Sequence, residues 1–124
     1  MLRATRKCQT ESPVQRNLTI MQINDTHGYL EPHPELVWTA RGASYPIMGG
    51  YARIAALFKQ ARKENPCGAL ALDNGDTFHG TYPAMISKGD ALVPLVNALK
   101  LDAMTAHWEF AWGPQHFNGV GKAP

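Results

Sequence analysis

With 124 residues, the chain has the length of one domain and no room for two. Hydrophobic residues make up 44% and charged ones 18%, which excludes a disordered chain and suffices for one core needing neither metal nor disulfide to fold. Twelve Lys and Arg against ten Asp and Glu leave a net charge of +2, too small a balance to indicate a nucleic-acid polymer as partner.

Residues 1–16 are polar, basic and aperiodic and read as a disordered leader. They lack the apolar stretch of a secretory signal, and no run reaches the roughly 18 residues of a membrane span, so the expectation for the chain as written is cytoplasmic. Cys8 and Cys67 form no CxxC pair and are expected as reduced thiols. Residues 17–24 (NLTIMQIN) are β-rich and read as a strand buried on both faces, as in a parallel sheet. Residues 25–48 are punctuated by Gly28, Pro32, Pro34, Gly42 and Pro46 and read as one long loop, a length that tends to be functional. Residues 49–65 are the clearest helix, with Ile54, Leu57, Phe58 and Ala61 as its apolar stripe and Pro66 and Gly68 as its stop.

Residues 69–73 (ALALD) fit a second buried strand, 74–80 a loop and 83–87 a helical turn. Residues 90–99 predict a second helix, with Asp90 near its N-cap and Pro94 in its first turn. Residues 102–105 predict a third short strand, and 115–124 an irregular tail. The predicted fold class is α/β: a βαβαβ unit with mainly parallel strands and right-handed crossovers, filling 17–114.

Ligands of such sheets bind beyond the carboxyl ends of the strands. Those ends run into Asn24-Asp25-Thr26-His27-Gly28, Asp73-Asn74-Gly75-Asp76 and Ala106-His107-Trp108-Glu109. Asp25, His27, Asp76 and His107 therefore converge on one sheet edge, and carboxylates beside imidazoles suit divalent Mn, Zn or Fe. Two such ions, bridged by a carboxylate, clamp a phosphoryl oxygen and activate water. Gly28 and Gly75 let the backbone turn sharply at a crowded centre. Haloacid-dehalogenase chemistry is excluded because Asp73 and Asp76 are not spaced as D-x-D, and dinucleotide binding because NDTHGY replaces G-x-G-x-x-G.

The segments LTIMQINDTHG, GGYARIAALFKQARKENP, LALDNGDTFHG and LVNALKLDAMTAHWEFAWG resemble the N-terminal part of calcineurin-like metallophosphoesterases of the 5′-nucleotidase type. The resemblance covers roughly residues 18–114 and implies a two-metal phosphoester hydrolase. It assigns Asp25 and His27 to one ion and makes Asp76 the bridge. Aligned without a gap, His107 falls at a metal-binding Asn of the family and Trp108 at its catalytic His, so no catalytic residue is assigned. A competing alignment inserts Trp108 and keeps His107 as the catalytic residue. The HWEF variant is similar to the thiosulfohydrolase branch of sulfur oxidation, which points to a nucleotide or a sulfur-bearing analogue as substrate. Asn24 and Glu109 are expected to support the ligands, Glu109 by orienting backbone rather than as a base.

The family's later histidines, including G-H-x-H, have no counterpart here, so the expectation is a truncated, weakly active half-site. The alternative is a non-catalytic, partner-binding module that associates through the exposed face of the half-domain. Relatives are often periplasmic. His79 and His116 are expected at the surface, Trp108, Phe110 and Trp112 as core or rim aromatics, and residues 41–46 as an unspecialised loop.

Overall fold

The computed structural model describes residues 17–119, so the leader expected over 1–16 lies outside the described residues. Three parallel strands form the central sheet: β1 (Thr19–Ile23), β6 (Ala69–Asp73) and β7 (Ala103–Met104), in the spatial order β1-β6-β7. Helix α1 (Tyr51–Glu64) connects the first pair. The second pair is joined by α2 (Tyr82–Ile86), a 3₁₀ turn (Asp90–Leu92) and α3 (Val93–Leu99). This is the predicted α/β architecture. The register sets Ile23 opposite Asp73 and Asp73 opposite Met104, so the three carboxyl ends finish level with one another. The loops that follow must then leave side by side.

The helices cover one face of the sheet. Phe58, Ala71, Phe78, Ala84, Leu92, Val96 and Leu99 are buried there, with Met21, Ile23, Ile54 and Met104 packed against them. Along α1 the buried stripe is Tyr51, Ile54, Ala55, Phe58 and Ala61, whereas Leu57, expected inside, is exposed. Arg62 completes the stripe. Its guanidinium lies 5.6 Å from the Phe58 ring centroid and donates to the carbonyls of Leu99 and Lys100 at 3.1 and 2.6 Å. A cation there satisfies the last carbonyls of α3 and complements its dipole. Asn65 ties the end of α1 to the start of β1, donating to Asn17 O at 2.8 Å and Thr19 Oγ1 at 3.2 Å.

Among the described residues, no element covers the other face of the sheet. Ile20 is 57% exposed, with Leu18 and Leu70 exposed beside it, so β1 is buried on one face rather than on both. Its alternating pattern arises because the described helices reach one side.

Residues 25–48 are also more regular than expected. They hold two nested antiparallel ladders, the outer pairing β2 (His33–Pro34) with β5 (Ile47–Met48) and the inner β3 (Val37–Thr39) with β4 (Gly42–Ser44). Arg53 anchors the outer ladder to α1 by donating to Ile47 O at 2.9 Å. Residues 115–119, expected as irregular tail, belong to a short helix, α4 (Pro114–Gly119). Cys67, expected as a reduced thiol, is disulfide-bonded, and Cys8 lies outside the described residues.

Leu92 has no exposed surface, so Leu92→Ala is expected to destabilise the chain by about 2–5 kcal/mol. Ile20→Ser on the open face should change stability by no more than about 0.5 kcal/mol. Urea unfolding midpoints followed by circular dichroism separate the two outcomes.

Candidate metal centre

The parallel pairing of β1 and β6 continues past the strand ends as a backbone zipper. Asn74 N–H donates to Ile23 O at 3.0 Å, Asp25 N–H to Gly75 O at 3.0 Å, and His27 N–H to Asp76 O at 2.9 Å. Asp25 and His27 are thereby held against the loop that carries Asp76. Asp25, His27 and Asp76 are also three of the five non-glycine residues with positive φ among those described, at 53°, 46° and 57°. Left-handed backbone at such residues costs on the order of 1–3 kcal/mol each and collects at functional sites. Gly75 has φ 93°, and a Cβ there would stand 2.9 Å from His107 N and 3.0 Å from Thr105 O. Both neighbours are backbone, so only glycine lets the second and third loops approach this closely.

Glu109 locks the third loop in place. It lies in the first turn of the 3₁₀ segment Trp108–Trp112 and is buried. One carboxylate oxygen accepts the N–H groups of Thr77 and Phe78 at 2.6 and 3.3 Å, and the other accepts that of His107 at 2.8 Å. Burial by itself opposes ionisation, but these backbone donors outweigh it and hold the Glu109 carboxyl below its ordinary range. These three bonds tie the backbone of the second loop to that of the third.

Asp76 stands at the centre, its side chain 5% exposed. Its Oδ2 lies 2.9 Å from His107 Nδ1, while its Oδ1 accepts Trp108 N–H at 2.8 Å and faces His79 Nε2 at 3.1 Å. Burial again opposes the charge, and the bonds from His79, Trp108 N–H and His107 together hold this carboxyl well below the usual carboxylate range. Oxygen and nitrogen atoms of Asp25, Asp76 and His107 all lie within 4.8 Å of one another. Bonds of about 2.0–2.2 Å arranged tetrahedrally put the donors of one ion about 3.5 Å apart, so closure draws these groups together by at most about 1.3 Å. The donor types and their spacing fit a divalent transition metal.

His27 flanks this group, with Nε2 at 3.7 Å from Asp25 Oδ1. Asn24 donates to Asp25 Oδ2 at 2.6 Å and steadies that carboxylate. Asp25, His27 and His107 are all open to solvent, so the cluster is accessible from outside. His79, expected at the surface, is drawn into the cluster instead. Its side chain is 18% exposed and its ring packs edge-on against His27, centroids 4.7 Å apart. His33 pairs with Glu35 at 3.0 Å, and His116 Nε2 lies 2.8 Å from Lys88 O. Neither joins the centre. Trp108 and Phe110 are exposed rim aromatics, and Trp112 is partly buried.

A second layer went unrecognised in the sequence. Buried Asp73 accepts Gly75 N–H at 2.9 Å and the Thr77 hydroxyl at 2.7 Å; Thr26 Oγ1 reaches Thr77 Oγ1 at 3.4 Å and Tyr51 Oη at 2.7 Å. Burial pushes the Asp73 carboxyl up, the carboxylates of Glu109 and Asp25 add to that, and the bonds from Thr77 and Gly75 oppose it. Its signal was available: Asp73 shares the buried face of β6 with Ala71, and a carboxylate there needs partners.

Glu109→Gln is expected to cost about 2–3 kcal/mol at neutral pH, because charge-assisted bonds to buried backbone donors are lost. The sign follows from the lowered carboxyl of Glu109. Its stabilisation is fully present above the ordinary carboxylate range and disappears as pH falls through its folded-state value. The gap between wild type and variant should therefore narrow on acidification, as read by urea titrations across pH.

No family model matches the chain. Human 5′-nucleotidase is 39% identical over 87 residues, which are 70% of this chain and 15% of that protein. The chain thus spans about 15% of the length of the curated relatives it matches first. The crystal structure of the 5′-nucleotidase precursor of Thermus thermophilus superposes with a TM-score of 0.61 at 30% identity, over 83% of this chain and 20% of the other. The sulfate thiohydrolase SoxB of Thermus thermophilus gives 0.68 over 90% of this chain and 29% of its own, and at 21% identity it speaks for the fold alone. Over these residues the chain is similar to the N-terminal region of 5′-nucleotidases and calcineurin-like metallophosphoesterases.

Proposed function

We propose that this chain carries part of a two-metal centre that hydrolyses phosphoesters, with Asp25, His27, Asp76 and His107 as the donors it contributes. The observation that carries the reading is Asp76: a buried carboxylate with an imidazole at one oxygen and a second acid, Asp25, within coordinating reach. Divalent Mn, Zn or Fe held there supplies the positive charge that neutralises phosphoryl oxygens and acidifies water. Glu109 keeps the second and third loops in register, so the donors need little rearrangement when charge develops on the substrate. Asn24 fixes one oxygen of Asp25 and leaves the other facing His27. Exposed Trp108 and His107 form the rim past which a small phosphoester enters. The substrate class is a nucleotide, as the names of the nucleotidases that the chain resembles suggest, or a sulfur-bearing analogue.

Four donors, one of them shared between two ions, leave both positions open to water and bind weakly. The isolated chain is therefore expected to be a poor catalyst or none. A second reading, a non-catalytic module that docks further protein on the apolar sheet face, is favoured by exposed Leu18, Ile20 and Leu70. Elemental analysis of the chain at equilibrium with Mn²⁺ in dialysis discriminates between them. Retention of one to two ions per chain, lost in Asp76→Asn, supports the metal centre. No retained ion by the folded chain sinks it and leaves the docking module. Full-scale turnover of nitrophenyl phosphate by the isolated chain with Mn²⁺ would contradict the incomplete-site expectation.

A further inference from the structure

We infer that His79 is a metal ligand of this chain, supplying an imidazole on the Oδ1 side of Asp76; the inference rests on the metal-centre reading above. Asp76 has a different histidine at each oxygen, His107 Nδ1 at 2.9 Å from Oδ2 and His79 Nε2 at 3.1 Å from Oδ1. Were two ions held one at each oxygen of Asp76, each would have its own nitrogen donor beside it. Asp76, His79 and Glu109 form a second group whose donor atoms lie within 4.8 Å, distinct from Asp25, Asp76 and His107. Glu109 is already engaged by three backbone N–H groups, which leaves His79 as the available donor of that group besides the bridge.

The placement of His79 is specific to a ligand-like pose. It lies three residues after Asp76, whose φ of 57° turns the chain back so that the imidazole folds over the carboxylate. The ring is largely withdrawn from solvent, and its Nε2 faces Asp76 and lies in the same cluster as Glu109. Its Nδ1 is 3.4 Å from His27 Nδ1, and that contact at the far nitrogen orients the ring as outer partners of metal-bound histidines do. With His79 the chain contributes three imidazoles and two carboxylates rather than two and two.

The test uses the full chain and Mn²⁺ alone, with His79→Ala and His79→Gln. Gln can donate a hydrogen bond toward Asp76 Oδ1 but carries no imidazole, so it separates ligation from mere positioning. Mn²⁺ affinity should fall about tenfold or more in both variants, and pulsed EPR should lose one imidazole nitrogen coupling relative to wild type. Full affinity in His79→Gln, or an unchanged nitrogen count, overturns the ligand role while leaving the metal centre intact. The wild-type spectrum decides alone if neither variant folds: three coupled imidazoles support the inference and two overturn it. A folded wild-type chain that binds no Mn²⁺ overturns both this inference and the reading beneath it.

Discussion

Everything at the centre depends on the β1–β6 ladder outlasting its strands. After Ile23 and Asp73 the chains no longer run as sheet, yet three further backbone hydrogen bonds hold the first two loops together through His27 and Asp76. Without that extension the two loops would diverge at the sheet edge, and the left-handed residues would have no reason to keep their conformation. The strain at Asp25, His27 and Asp76 persists because backbone bonds on both sides over-determine it.

Glu109 brings in the third loop by a different means. β7 has only two residues, too short to position a loop by pairing alone. Asp102 extends it by accepting Ala71 N–H at 2.8 Å through its side chain, and Glu109 then binds backbone donors on both the second and third loops. Two carboxylates thus take over where hydrogen-bonded strand runs out. Behind them, the Asp73, Thr77, Thr26 and Tyr51 chain connects the cluster to the first turn of α1. The centre is consequently built on rigid elements although every candidate donor sits in a loop.

The strands, the long helix and the convergence of Asp25, Asp76 and His107 were legible because each is encoded locally. Period-two and period-3.6 patterns name the elements, and the parallel-sheet rule says where their ends meet. What stayed hidden depends on the far side of a contact. Alternation in β1 could not say whether a second layer covers Leu18 and Ile20. The α1 stripe misplaced Leu57 because Arg62, a charged residue, occupies part of the buried face through its stem. The ladders within 33–48 were masked by the glycines and prolines that punctuate strands of two or three residues. His79 escaped notice because its position follows from the reversed backbone at Asp76, a torsion no side-chain pattern reports.

The three loops at the centre are joined by contacts spanning long stretches of chain: Thr26 meets Thr77 across 51 residues, and Glu109 meets Thr77 across 32. Any cation that grips side chains from all three would act as a reversible crosslink possessed only by the folded molecule. Occupancy would then add to the thermal resistance of the whole domain in proportion to the logarithm of free ion concentration. A chelator would accordingly loosen the entire fold as well as empty the cluster.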